Sequence, residues 1–191
     1  MLPYPEQEII AGCKKQHRPS QEKLYKQYYN LFLKICARYA MNMEDAEQLM
    51  NDGFLKIFKN ISGYKNTGSF EGWMKRIIVN NCLDYLKSRE TKNAIKISHA
   101  QPTNETFDVA VQADALKAIQ FKELLGLIQE LPATTKTVFN MYVFDGYSHR
   151  EISQNLEITE GTSSWHLHHA RNILQKQIKK NNSEAMKYEH K

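Results

Sequence analysis

Between Leu24 and Tyr39 the apolar side chains Leu24, Tyr25, Tyr28, Leu31, Phe32, Ile35, Cys36 and Tyr39 return at spacings of three and four. Only a helix gathers such positions on one face, so this stretch must form an amphipathic helix packed on a core. Pro19 and Ser20 stand just before it as a start signal. The pattern repeats in Ala46, Leu49, Met50, Gly53, Phe54, Ile57 and Phe58, until Ser62, Gly63 and Gly68 break it. A third helix is expected from Phe70 to Lys87, with Trp73, Ile77, Ile78, Cys82 and Leu86 available for burial. A weaker pattern over Glu6 to Lys15 precedes them all. The first block is therefore read as an all-helical bundle of about ninety residues, enough for one modest core.

The second block is also helical. Leu116, Ile119, Leu124, Leu127, Ile128 and Leu131 mark a helix that Pro132 stops, and another runs from about Thr134 to Phe144 before Asp145 and Gly146 end it. Ser148 and Glu151 have the spacing of a capping box ahead of a short helix with Ile152 and Leu156 inward. Glu157, Ile158 and Thr159 form a three-residue turn, and Glu160 to about Lys179 is the last helix. Two helices joined by so short a turn are a helix-turn-helix, whose second helix enters the DNA major groove.

The fold class that follows is all-α, two small helical domains joined by a polar, acidic linker. Between His99 and Leu116 stand Glu105, Asp108 and Asp114 with no Lys or Arg, and Pro102 interrupts any helical run. The expected organisation is 1–92 helical bundle, 93–115 linker, 116–180 helix-turn-helix and 181–191 polar tail. A formal net charge of +5 suits a polyanionic partner without proving one. No apolar run is long enough for a membrane span and no cleavable leader precedes the first helix, so no membrane insertion and a cytoplasmic location are expected. Cys13, Cys36 and Cys82 are scattered, outside any CxxC pair, and read as free buried thiols.

Three groups of residues are left for function. Gln48, Asn51, Asp52 and Leu55, at i, i+3, i+4 and i+7, form one line away from the core of the second helix. Leu55 among amide and acid groups points to a protein contact. The loop Tyr64, Lys65, Asn66, Thr67, Gly68, Ser69 and Phe70 combines aromatic, amide, hydroxyl and cationic groups, the surfaces that unstacked bases and phosphates require. On the helix after it, Arg76, Asn80 and Lys87 share a polar face. In the last helix, at about 100° per residue, Leu167, Ala170, Leu174 and Ile178 fall in one arc while Trp165, His168, His169 and Asn172 point away with Ser163 and Ser164 near the start. An outward Trp with such neighbours suits base edges and phosphates. His166 and His169 alone have helical metal-ligand spacing, with no Cys or carboxylate to complete a shell, and no catalytic motif is present. No metal, no cofactor and no enzymatic activity are expected.

The order of these pieces resembles the bacterial extracytoplasmic-function (ECF) sigma factors. The resemblance runs from about Glu6 to Ile178 and rests on EKLYKQYYNLFLKICARYAMNMEDAEQLMNDGFLKIFKN, on GSFEGWMKRIIVNNCLDYLKSRE, and on LPATTKTVFNMYVFDGYSHREISQNLEITEGTSSWHLHHARNIL. It implies an alternative sigma factor that binds core RNA polymerase, recognises minus-35 and minus-10 promoter elements and helps melt DNA. Gln48, Asn51, Asp52 and Leu55 would then meet the clamp of the largest polymerase subunit. Tyr64, Lys65, Asn66, Thr67, Ser69, Phe70 and Asn80 would hold a base flipped from the minus-10 strand, with Arg76 and Lys87 on phosphates. Thr162, Ser163, Ser164, Trp165, His168, His169 and Arg171 would read the minus-35 element, where many relatives carry more Arg and Lys. The linker would pass through the nucleic-acid channel of the polymerase, the flap of the second-largest subunit would be a further contact, and an anti-sigma factor is implied as an inhibitor. The rival reading is a dimeric helix-turn-helix regulator of duplex DNA that never touches core polymerase.

Overall fold

The computed structural model describes residues 6–95 and 115–189, with side chains over 6–88 and 122–181. Contacts divide the chain into two units, Met1–Val111 and Gln112–Lys191, and every described element of both is helical.

In the first unit α1 (Glu6–Lys14), α2 (Arg18–Tyr39), α3 (Met43–Asn60), a 3-10 turn (Ile61–Gly63) and α4 (Phe70–Ile95) follow one another. Pro19 lies in the first turn of α2, where its missing N–H costs nothing. Asn42 caps α3 by accepting the Asp45 N–H at 2.7 Å, and Glu44 and Asp45 suit the positive end of that helix. The α2 stripe Leu24, Tyr28, Phe32 and Cys36 is buried where α2 packs on α3 and α4, as are Met50, Phe54 and Ile57 of α3 and Met74, Ile78 and Cys82 of α4. Phe32 and Phe54 meet with ring centroids 5.2 Å apart, and the thiols of Cys36 and Cys82 touch at 3.9 Å. Asn81, buried in this layer, donates to the Leu49 carbonyl at 2.9 Å, which satisfies a polar group that burial would otherwise penalise. All three cysteines are free and buried, and burial pushes the Cys13 thiol up to about 11.

The second unit comprises α5 (Ala115–Gln129), α6 (Ala133–Phe139), a π-helical stretch (Asn140–Phe144), α7 (His149–Leu156) and α8 (Glu160–Glu189). Its core is Leu125, Ile128, Leu131, Val138, Phe139, Met141, Ile152, Leu167, Ala170 and Leu174. The capping box at α7 is complete: the Ser148 hydroxyl accepts the Glu151 N–H at 3.3 Å, and the Glu151 carboxylate accepts the Ser148 N–H at 2.9 Å. Gly146 takes φ +75°, the left-handed exit expected after the preceding helix.

Four expectations are corrected. The helix expected from Thr134 to Phe144 does not stay α-helical: from Asn140 it widens to π geometry, with Asp145 N–H donating to the Asn140 carbonyl, and Tyr142, Val143 and Phe144 face outward. In α5 the buried member of the leucine pair is Leu125, and Leu124 is exposed. Ile178 lies beyond Leu174, the last buried residue of α8 among the described side chains, and is exposed. Helix α4 runs on to Ile95 and α8 to Glu189, into segments expected as linker and tail. The rest of the linker, 96–114, lies outside the described residues.

Candidate polymerase and nucleic-acid interfaces

On α3, Gln48, Asn51, Asp52 and Leu55 are all exposed, with Leu55 at 67%. A neighbouring helix orients the line, since the Tyr25 hydroxyl donates to Asn51 Oδ1 at 3.0 Å. Tyr25 was not legible as part of this site, because its spacing assigns it to the core stripe of α2.

The loop before α4 separates into two kinds of residue. Lys65, Asn66, Thr67 and Ser69 are exposed, whereas Tyr64 and Phe70 are only 7% and 1% exposed. The expectation that Tyr64 and Phe70 offer faces to a base is therefore corrected: their rings lie 5.1 Å apart, and the Trp73 ring lies 5.2 Å from Tyr64 and stacks on Phe70 at 5.7 Å. Large rings gain more from mutual burial than from solvent, so they frame the loop from beneath. The Tyr64 hydroxyl donates to the Gly68 carbonyl at 2.8 Å, and Ser69 Oγ accepts the Gly72 N–H at 3.2 Å at the start of α4. Arg76, Asn80 and Lys87 are exposed, and their spacing along α4 keeps them on one face.

On α8 the outward face is Ser164, Trp165, His168 and Arg171, all exposed, with Trp165 at 57% and the half-buried His169 stacked on its indole at 4.9 Å. Thr162 is exposed, and its N–H donates to Thr159 Oγ1 at 3.0 Å. Ser163 is corrected from a DNA contact to a buried one: its hydroxyl lies 2.9 Å from His149 Nδ1 and joins α7 to α8. His149 in turn stacks on Tyr142 at 4.6 Å. His166 belongs to the frame as well, with Nδ1 2.9 Å from the Thr135 hydroxyl. Burial, and then the neighbouring His169, hold the His166 pKa below the usual imidazole range. Neither role could be read in advance, because both partners are distant in sequence. Among the described residues no three His, Cys, Asp or Glu side chains form a metal-binding group, and no helix is long and apolar enough to cross a membrane.

Known proteins share this arrangement. Sigma-70 region 2 matches residues 24–91 and sigma-70 region 4 matches residues 121–174, together more than half of the chain. The ECF RNA polymerase sigma factor SigE of Mycolicibacterium smegmatis is 26% identical over 176 residues, 87% of this chain and 65% of that protein. SigW of Bacillus subtilis, also an ECF RNA polymerase sigma factor, is 26% identical over 159 residues, 80% of this chain and 85% of that protein. Among solved structures, the sigma factor RpoE of Bartonella quintana, in complex with the anti-sigma factor NepR, superposes with TM-score 0.57 at 17% identity, over 82% of this chain and 98% of that one. CnrH, in complex with the cytosolic domain of CnrY, gives TM-score 0.53 at 11% identity, over 91% of this chain and 97% of that one. Both share the fold.

The chain belongs to the sigma-70 family of RNA polymerase sigma factors. Within that family it is an alternative sigma factor of the extracytoplasmic-function class, a DNA-binding transcription initiation factor that works with core RNA polymerase at promoters.

Proposed function

We propose that the three exposed surfaces divide the work of this sigma factor among them. Gln48, Asn51, Asp52 and Leu55 dock on the clamp of the largest polymerase subunit, with the Leu55 side chain supplying apolar area at the end of a polar line. Lys65, Asn66, Thr67 and Ser69, with Asn80, receive a base flipped out of the minus-10 strand, while Arg76 and Lys87 hold its backbone. Unstacking a base costs a few kcal/mol, and capture in the loop offsets part of that cost without nucleotide hydrolysis. The chain has no enzymatic step of its own in this scheme. Thr162, Ser164, Trp165, His168, His169 and Arg171 read the minus-35 duplex from α8, the second helix of the helix-turn-helix. The linker between the two units passes through the nucleic-acid channel of the polymerase, and the second unit also meets the flap of the second-largest subunit. An anti-sigma factor is the expected inhibitor, a reading supported by the NepR complex of RpoE. Work beside the polymerase implies action in the cytoplasm.

The observation that carries this reading is the pairing, within one chain, of an exposed single-strand-type loop with an exposed duplex-type recognition helix. A dimeric duplex-binding regulator would leave the loop and the Leu55 line unused and is not favoured. The test is run-off transcription with sigma-free core polymerase and fragmented genomic DNA. Discrete starts sharing two upstream elements, lost in an Asn51→Ala/Asp52→Ala variant, are expected. Absence of core binding would return the first unit to another partner.

A further inference from the structure

We infer that α1 braces the strand-capturing loop, with Lys14 and Tyr64 as its positioning residues; this rests on the loop reading above. Helix α1 precedes the stretch matched by sigma-70 region 2, which begins at residue 24. It is seated by Ile9, Ile10 and Cys13, all buried, and lies against α2 and the 3-10 turn from which the loop departs. From its last turn the Lys14 ammonium donates to the Tyr64 carbonyl at 2.8 Å, across 50 residues of sequence. A lysine in the last turn of a helix ordinarily serves that helix's own terminal carbonyls. Here the acceptor is the first residue of the loop.

Tyr64 then commits every polar group it has. Its N–H donates to the Ile61 carbonyl at 3.1 Å, its carbonyl accepts from Lys14, and its hydroxyl donates to the Gly68 carbonyl at 2.8 Å. Its ring is wedged against Phe70 and Trp73. One buried residue thus fixes both ends of the exposed segment Lys65, Asn66 and Thr67. Between those ends Asn66 is held at φ +54°, a left-handed conformation uncommon for a residue other than glycine, and Gly68 closes the loop at φ +84°, which glycine adopts without strain. A loop already held in its working shape loses less conformational freedom on capturing a base, which raises affinity without adding a contact to DNA.

The test uses holoenzyme reconstituted with core polymerase on a promoter mapped by run-off transcription. Lys14→Met keeps the aliphatic stem and removes the donor; Tyr64→Phe keeps the ring and removes the hydroxyl. Equilibrium binding is measured to a forked template with a single-stranded minus-10 strand and to a duplex carrying only the minus-35 element, alongside core affinity and thermal melting. Each variant is expected to weaken forked-template binding about tenfold, the scale of one lost hydrogen bond to a charged or buried group, and Lys14→Arg to restore most of it. Minus-35 duplex binding and core affinity are expected to change by less than about twofold, and the melting temperature of the first unit to fall by no more than about 10 °C, the shift that one such bond carries. Unchanged forked-template binding in both variants overturns the brace. So does a loss that appears equally in duplex and core binding, which marks a general structural defect. A Lys65→Ala/Asn66→Ala variant separates the two layers: if it also leaves forked-template binding unchanged, the loop is not the capture site and both readings fall. If it weakens binding while Lys14→Met and Tyr64→Phe do not, only the brace falls.

Discussion

Glu157 turns the chain between α7 and α8 at φ 56° and ψ 39°, a left-handed conformation in which an L side chain is strained. The turn spacing was visible in Glu157-Ile158-Thr159, but the residue type gave no hint of the handedness, since glycine or asparagine is the usual occupant. Glu157→Gly is expected to stabilise the second unit by about 0.5–1 kcal/mol, because relief of roughly 1–2 kcal/mol of backbone strain is partly offset by glycine's greater freedom when unfolded. The urea midpoint of that unit checks it. His166 makes a pH-dependent contribution with a definite sign. Its folded pKa lies below the ordinary 6.5, so the unfolded chain takes up the proton first. The stability that neutral His166 contributes, in contact with Thr135 and beside His169, is fully present above about pH 6.5 and is lost as pH falls through its folded value. Between about pH 7.5 and pH 5.5 the melting temperature of the second unit should fall, and it should fall less in His166→Asn, which cannot titrate in this range.

At the scale of elements, the packing of α3 on α4 depends on a missing side chain. A Cβ at Gly53 would collide with Ile78 Cδ1, and Ile78 is fully buried among its neighbours. Gly53→Ala gains helix propensity yet is expected to destabilise the first unit by about 1–3 kcal/mol, the usual cost of overpacking. Thermal denaturation followed by circular dichroism would show it, and a gain in melting temperature would mean that Ile78 can move aside. The helices of this unit were legible because spacings of three and four leave no other way to gather apolar residues. What the spacing left open is direction at the ends and in the loops. Leu124 and Leu125 are chemically identical, and only the phase of α5 against its neighbours selects Leu125 for the core. Tyr64 and Phe70 have the composition of a base-stacking surface, but their mutual contact with Trp73 turns them inward. The π-helical stretch Asn140–Phe144 carries no sequence mark, being a slip in hydrogen-bond register rather than a choice of residue. By contrast the Gln48 to Leu55 line and the Trp165, His168 face were legible, because exposure on a helix follows directly from angle once its core stripe is known.

Across the whole molecule, the net charge of +5 is not concentrated on the recognition face of α8, where Ser164, Trp165 and His168 stand beside a single arginine, Arg171. Affinity for the minus-35 duplex should therefore draw less on counterion release than it would with a basic helix, and its salt dependence should be shallow. Replacing His168 by Arg is expected to steepen the slope of log affinity against log salt by about one unit, measured by titrating holoenzyme with duplex across a salt series. The placement of the two tryptophans has a further practical result. Trp73 lies in the aromatic frame beneath the loop, and Trp165 projects from α8 with an imidazole on its face. Each unit thus holds one indole at the surface proposed to meet nucleic acid, and the chain has no others. Intrinsic fluorescence can consequently report strand capture and duplex reading separately from an unlabelled protein: in Trp73→Phe the emission change follows the minus-35 duplex alone, and in Trp165→Phe it follows the minus-10 strand.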